Sequence, residues 1–539
     1  MRRKDGILAI VLLAVGLGSA AIPAFAATLQ VTDYGAVCND ASDDRAAINT
    51  AISAASSGDT VYFPKGVYCI SGSVTGKSGI RLEGATGSVL KYVGTTADCI
   101  ISLHSISNVT VTGLTLDGNN STQVSQGISA GNASKIVLRN LTIRNLGNTI
   151  GAFGPHGILL DPAVTDSTVT NNTITNIAVS SEWGAGIRMG HGSSRNLVDG
   201  NKISNTGRGG ILCNDGCTDL VIRANTITGS GGTGLGIELW GGCARGLVES
   251  NRVDHWISLD SSDFCAVRRN TVSDKSGVYK FAGLEAITSK SVFTDNFVDG
   301  GAQIGISISG ASAKEYVLWA RNTVKACGTW ATQLQGDSGG IAYHYFYRNK
   351  FLNAKRNDPQ AMYPNEGNGF RFNENCRYVS LDNNEISDNE GNGIQLSSGL
   401  NQLSFTNNVI RGNVHASVSG NPGSDLEWSG NTVSGNGSNV ELSSQGFTNR
   451  KPVAAFACPA TVLPGQTVSF SNKSYDPDGS IGHVLWDFDD GIPVTDLNPT
   501  HVYAKTGSHT ITLVVWDNLG RGMLTTKTIT VRGKPSKGK

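Results

Sequence analysis

At 539 residues the chain is longer than one ordinary core accommodates, so two or three domains are expected. Only 16% of the residues are charged and 68 are glycine, a bias toward a turn-rich architecture built on strands. Lys+Arg and Asp+Glu balance at 43 each, which removes the global field that draws a chain to nucleic acid or an anionic membrane; a polyanionic substrate would need a local basic cleft.

Residues 1–26 read as an export signal. Arg2, Arg3 and Lys4 precede the apolar run ILAIVLLAVGL, and Ala24-Phe25-Ala26 supplies the small-x-small cleavage pattern. The run is short for a membrane span and no other stretch is a candidate, so a secreted protein, extracellular or periplasmic, is expected. It is expected to act as a monomer, and export makes disulfides accessible to its ten cysteines.

Residues 27–130 are expected to form an N-terminal cap and the first coils of a solenoid. The stretch TDYGAVCNDASDDRAAINTAISAASSGDTVYFPKGVYCIS contains an amphipathic helix with Ala46, Ala47, Ile48, Ala51 and Ile52 as its apolar stripe. Asp43 and Asp44 stand where an N-cap and the helix dipole favour acids. Such a helix would cover an open solenoid end whose strand edges are otherwise unpaired. The Tyr-Gly-Ala turn, the Asp-Asp-x-x-Ala-Ile helix start and the Val-x-Phe-Pro-x-Gly-x-Tyr strand pair resemble the opening of pectate-lyase-superfamily β-helix proteins. That resemblance implies a parallel β-helix and carbohydrate-related activity.

Residues 131–447 repeat. Each unit is a short apolar strand, an asparagine, a second short strand, a variable loop and then Gly-apolar-x-apolar. The copies include VTNNTI, VDGNKI, IRANTI, VESNRV, VRRNTV, FTDNFV, WARNTV, FYRNKF, LDNNEI, FTNNVI and WSGNTV, with asparagines at 172, 201, 225, 251, 270, 296, 322, 349, 384, 408 and 431. The segments are β-branched and break at Gly, Asn and Asp, against a helical repeat. Stacked units share a core that no single unit can bury, so a right-handed parallel β-helix is expected. The asparagine is expected to tolerate left-handed geometry and to bond its copy one coil away.

In each Gly-apolar-x-apolar strand, period-two alternation sends the middle residue outward. That position gives Leu159, Arg188, Leu212, Glu238, Ser258, Glu285, Ser307, Gln333, Arg371 and Gln395, and two residues later come Asp161, Gly190, Asn214, Trp240 and Asp260. Loops entering the same face carry Glu182-Trp183, Arg208, His255-Trp256 and Tyr279-Lys280. Charges and aromatics thus concentrate over residues 153–288 of a chain poor in both, the expected cleft. Its predicted catalytic set is His156, Arg188, Glu238, Tyr279, Lys280 and Glu285, with Asp161, Trp183, Arg208, Asn214, Trp240 and Asp260 holding substrate.

A lyase acting by β-elimination on a uronate-containing polysaccharide is the leading expectation. Tyr279 and Lys280 would supply base and acid, and Arg188 or Arg208 would neutralise the carboxylate. Calcium could join Asn214 and Glu238, although two ligands are few. A glycoside hydrolase would instead use Glu238 and Glu285, about 9–10 Å apart at the backbone, near the upper end of the inverting range. A uronan C5-epimerase and a non-catalytic, carbohydrate- or surface-binding solenoid stay open.

His156 opens the strand in FGPHGILLD, where it is either a base or charge neutraliser at one end of the cleft or a turn-capping scaffold residue. Its Pro-His pair resembles the Asp-Pro-His-Glu motif of β-helix mannuronan C5-epimerases, with Gly154 and Gly157 standing at the two acidic positions. Cys217 and Cys243 occupy the same turn position on consecutive coils, which predicts a disulfide; Cys38–Cys69 is the second expected pair. No zinc spacing is present.

Residues 448–451 read as a linker, 452–533 as a β-sandwich and 534–539 as a basic tail. The segment WDFDDG, the later HVYAKTG and VVWDNLG resemble a PKD domain, with Asp489 standing where that family has glycine. The resemblance implies a tether or spacer, with Trp486 in its core.

Overall fold

The computed structural model describes residues 26–533 apart from residues 97, 148–153, 180–182, 232–233, 275, 277–278, 311–313, 337–338, 357–362, 364 and 447. Residues 1–25 of the expected export signal (1–26), the expected basic tail, and Phe153 and Glu182 lie outside the described residues. No helix among those described is long and apolar enough to cross a membrane.

The repeats wind into a right-handed parallel β-helix of three sheets, with 17, 15 and 14 strands among the described residues. One coil shows the order. Thr168–Thr170 lies in sheet I and Thr173–Ile177 in sheet II; the variable loop follows, and Ala185–Met189 lies in sheet III. Equivalent strands pair in parallel register, so Ile158, Ile187, Ile211, Ile237, Ile257, Leu284 and Ile306 form one fully buried interior column. Gly186 stands second in its strand because the interior leaves no room there: a Cβ would meet Ile203 Cγ2 at 2.4 Å.

The asparagine ladder forms as expected. Asn225 donates Nδ2 to Asn251 Oδ1 at 3.0 Å, and Asn251 donates to Asn270 at 3.0 Å, each also capturing a backbone carbonyl. The left-handed residue is the one before it: Asn171, Ala224, Arg269 and Arg321 have φ of 54°, 53°, 55° and 58°. The asparagine itself stays inside the turn, where its amide replaces a backbone partner on three sides.

A ten-residue helix, Arg45–Ala54, closes the N-terminal end with Ile48, Ala51 and Ile52 in the core. Ala46 is exposed rather than part of the stripe. Asp44 does not cap the helix through its side chain. Its carboxylate accepts from the backbone N–H of Val37 (2.6 Å) and Cys69 (3.2 Å), tying three segments of the cap together.

All ten cysteines are free thiols. Cys38 faces Lys65 O and Asn39 while Cys69 faces Asp40 O, so the expected Cys38–Cys69 bridge gives way to separate partners. Cys217 and Cys243 do lie one coil apart in the core, but without a disulfide: the Cys217 thiol donates to Asn214 O at 3.2 Å and the Cys243 thiol to Trp240 O at 3.2 Å.

The C-terminal sandwich has a four-stranded sheet that includes Ile481–Asp487, Gly507–Asp517 and Gly522–Val531. Trp486 is fully buried against Phe456, Phe470 and Phe488. Asp489 has φ 69°, the left-handed geometry that glycine serves without strain. The sandwich packs against sheet I, where Tyr316, Leu318, Ala320 and Tyr345 meet Leu485, Val514, Trp516 and Leu524.

Candidate active site

Coil stacking sets the predicted row in line on sheet III. Leu159, Arg188, Leu212, Glu238, Ser258 and Glu285 are successive register partners. Trp240 pairs with Asp260 two residues further on, and Asp161 and Asn214 follow the ends of the corresponding strands.

Alternation implies a solvated row, but this one is recessed. Arg188, Leu212, Glu238 and Ser258 are only 5%, 2%, 6% and 1% exposed. Leu212 packs outside the sheet with the strand residues Ala185 and Leu235, and Trp256 folds over them from its loop. Trp183 and Trp240 remain exposed at 44% and 43% as aromatic edges of the recess.

Two carboxyls sit in it with different partners. Arg208 donates Nη2 to Glu238 Oε1 at 3.3 Å, while its guanidinium lies 5.1 Å from the Trp183 ring centre. Burial raises the Glu238 pKa above the usual carboxylate range, with Arg208 opposing the rise and Asp260 adding to it. Glu285 has neutral donors instead: Ser258 Oγ at 2.6 Å and Trp256 Nε1 at 3.2 Å, both to Oε2. Burial raises its pKa as well, Ser258 opposing and Asp260 adding. The two glutamates are two strand steps apart, about 9–10 Å at the backbone.

Trp256 reaches Glu285 from a backbone with φ 41°, a rare conformation for a bulky residue. His255 braces it. One ring nitrogen lies 3.1 Å from Gly301 O and the other 3.1 Å from Asp274 Oδ2, and the histidine is 6% exposed. The dipeptide is visible in the sequence as a loop aromatic, whereas its strained backbone and the reach to Glu285 carry no sequence signal.

Other predicted residues fall elsewhere. Tyr279 and Lys280 lie five or six residues before Glu285, about 16 Å or more along the strand direction. Lys280 Nζ donates to Gly231 O at 3.4 Å and its stem packs on Gly234. His156 is 1% exposed, and burial together with the Arg188 charge pushes its pKa down to about 3. A neutral imidazole cannot act as the charge neutraliser. Asp161 Oδ1 pairs with His191 Nδ1 at 2.8 Å, and His191 Nε2 lies 3.8 Å from Asp215.

The calcium pairing of Asn214 with Glu238 does not fit. Asn214 Oδ1 is buried without a hydrogen-bond partner, an opening for a ligand, but Arg208 holds Glu238 and Arg188 acts on the same carboxylate. Two guanidinium charges oppose a cation that seeks six or more oxygens. No group of three His, Cys, Asp or Glu among the described residues is arranged to hold a metal ion.

The fold has parallels in known proteins. Residues 98–272, 156–355 and 256–450 match the right handed beta helix region model. Residues 28–97 match rhamnogalacturonase A/epimerase, pectate lyase-like, and 449–532 match the PKD domain. Collagenase ColQ1 of Bacillus cereus (strain Q1) is 38% identical over 85 residues, 16% of this chain and 9% of that one. Mannuronan C5-epimerase AlgE3 of Azotobacter vinelandii is 29% identical over 235 residues, 39% of this chain and 12% of that one. The chain therefore spans about a tenth of the length of these curated relatives. The catalytic unit of a GH87 alpha-1,3-glucanase from Streptomyces thermodiastaticus superposes with TM-score 0.43 at 16% identity, covering 78% of this chain and 71% of that one.

Proposed function

The chain belongs to the right-handed β-helix family and carries a C-terminal PKD domain, and from that premise we propose that it is an exported polysaccharide-active enzyme that hydrolyses glycosidic bonds. Glu285 is the general acid and Glu238 the general base. The observation that carries this reading is the pair itself: a buried Glu238 and a half-buried Glu285 on one row, with environments that differ in charge.

A guanidinium contacts Glu238, which favours its carboxylate and suits it to activate a water. Glu285 has only neutral donors, both on Oε2, so a proton on Oε1 can pass to the leaving oxygen. A pair of titratable groups in contrasting environments is how one site holds an acid and a base together. The backbone separation of about 9–10 Å leaves room for a water between sugar and base, which favours inversion at the anomeric carbon. Trp183 and Trp240 offer aromatic faces beside the pair. The C5-epimerase that aligns over 235 residues supports a polysaccharide as substrate, and the export signal supports action outside the cytoplasm.

β-Elimination on a uronate chain keeps one supporting observation, the guanidinium groups of Arg188 and Arg208 beside Glu238. It loses Tyr279 and Lys280, whose positions along the strand keep them from sharing one sugar with the glutamates. Products separate the two reactions. Hydrolysis yields new reducing ends without ultraviolet absorbance, and elimination yields unsaturated, absorbing ends. Glu238→Gln and Glu285→Gln should each lower turnover by about 100-fold or more while the protein stays folded, measured by reducing-end release from a panel of neutral and uronate polysaccharides. Unsaturated products, or near-normal turnover in both variants, would sink the hydrolytic assignment.

A further inference from the structure

The outward row does not stop at Glu285. It continues in register through Ser307, Gln333 and Arg371 to Gln395. The parallel row that carries Trp240 and Asp260 runs on through Ser309 and Gln335. At about 4.8 Å per coil, Arg371 stands three steps, about 14 Å, beyond Glu285. Beyond Glu285 the row carries no further carboxylate: it reads hydroxyl, carboxamide, guanidinium and carboxamide.

A groove of about 490 Å³ opens there, lined by the side chains of Gln335, Arg371, Asn373, Glu374, Asn375 and Ser397, so one carboxylate accompanies its one guanidinium. The Arg371 guanidinium lies 4.4 Å from the ring centre of Trp330, which is buried. Tyr363 stacks on the same indole at 4.9 Å and remains 49% exposed, so an aromatic face reaches solvent one ring away from the Arg371 guanidinium. The cation is balanced locally. Arg371 Nη1 lies 3.4 Å from Glu366 Oε1, and Nε donates to Asn373 Oδ1 at 2.8 Å.

We propose that this groove is a second carbohydrate subsite, and that it takes uncharged sugar units of the polysaccharide chain whose scissile bond lies over Glu238 and Glu285. Each carboxamide offers both donors and an acceptor, matching hydroxyls, which also do both. A guanidinium engaged by a carboxylate adds little net field, so the groove has no reason to select an anionic unit. The half-exposed tyrosine supplies an apolar face for the flat side of a sugar ring. A chain that reaches both places must cover about 14 Å, so cleavage falls inside long chains rather than at their ends.

The description as a second subsite rests on the proposed cleavage centre, whereas the binding itself does not. The test therefore uses binding by the full-length Glu285→Gln protein, followed by calorimetry with length series of uncharged gluco-, manno- and xylo-oligosaccharides and with a length series of oligouronates. Affinity should rise with chain length in one uncharged series and depend weakly on salt. Adding Tyr363→Ala, or Arg371→Met to keep the stem over Trp330, should remove about tenfold of that gain from long chains and leave short ones unchanged. Tm measurement confirms that each variant folds. Absence of any length-dependent gain, indifference to both substitutions, or salt-sensitive preference for uronates overturns the proposal. Residual cleavage by Glu285→Gln would instead overturn the catalytic assignment and leave the groove standing.

Discussion

Glu285 ionises at a loss to the fold. Its unfolded pKa is the ordinary value of about 4.3, and burial raises the folded one. Below about pH 4.3 both states hold the proton and stability is at its full value. As pH rises through the folded pKa, the native state must release a proton into a recessed, acidic setting, and stability falls. Glu285→Gln removes that step, so its Tm should exceed that of the unmodified protein at neutral pH and match it below about pH 4. A Tm difference that is the same at both pH values would mean the side chain contributes by packing alone. Activity follows the same groups. Both limbs of the kcat/KM profile should lie above the ordinary carboxylate pKa of about 4.3, as apparent values of the Glu238–Glu285 pair rather than of either residue.

The loop turn and the ladder set these side chains in place. Trp256→Phe keeps the ring against Phe281, 5.3 Å away, but deletes the N–H that favours the Glu285 carboxylate. The alkaline limb of the pH–rate profile should therefore move upward, and His255→Gln should move it in the same direction by loosening the brace. A limb that stays put in Trp256→Phe would remove the indole from the acid's environment. In the ladder, Asn270 accepts from Asn251 N and Nδ2 and donates to Val248 O and Asn296 Oδ1. Asn270→Ala strands several buried groups and should cost on the order of 3 kcal/mol by denaturant unfolding. The strand register was legible in the sequence because the asparagine fixes each coil's phase and alternation then assigns faces. That is why Arg188, Glu238 and Glu285 align as expected. Recession of the row was not legible, since it depends on how unequal loops fold back over the sheet. Tyr279 and Lys280 were misplaced for the same reason: spacing from the repeat says which coil a loop joins, not how far along the strand its side chains come to rest.

Across the whole molecule, the PKD domain is fixed to the solenoid rather than strung from it. Its resemblance implied a tether or spacer, and sequence spacing offered no sign of what sheet I presents to it. That face carries a tyrosine column, Tyr316 on Tyr343 on Tyr378, with ring centres 4.6 and 4.8 Å apart, and Trp516 meets Tyr316 edge-on at 5.2 Å. At the centre Arg268 lies 3.1 Å from Asp487, and both side chains are fully buried. Arg269 with Asp489 (2.6 Å) and Arg521 with Glu427 (2.5 Å) pair at other points of the contact. Because this contact uses sheet I and the glutamates use sheet III, the domain leaves the recess open. Removing one member of a buried ion pair strands the other charge, at about 3–5 kcal/mol, whereas replacing both with apolar residues of similar volume is often neutral. Arg268→Met alone should therefore split a single calorimetric unfolding transition into two, as the sandwich and the solenoid lose their coupling. Arg268→Met with Asp487→Leu should restore most of the joint transition, because no charge is then left in the apolar contact around Leu485, Val514 and Trp516. Two transitions already present in the unmodified protein would show that the interface does not couple the domains, and equal loss in the single and double variants would show that shape, not charge, holds them together.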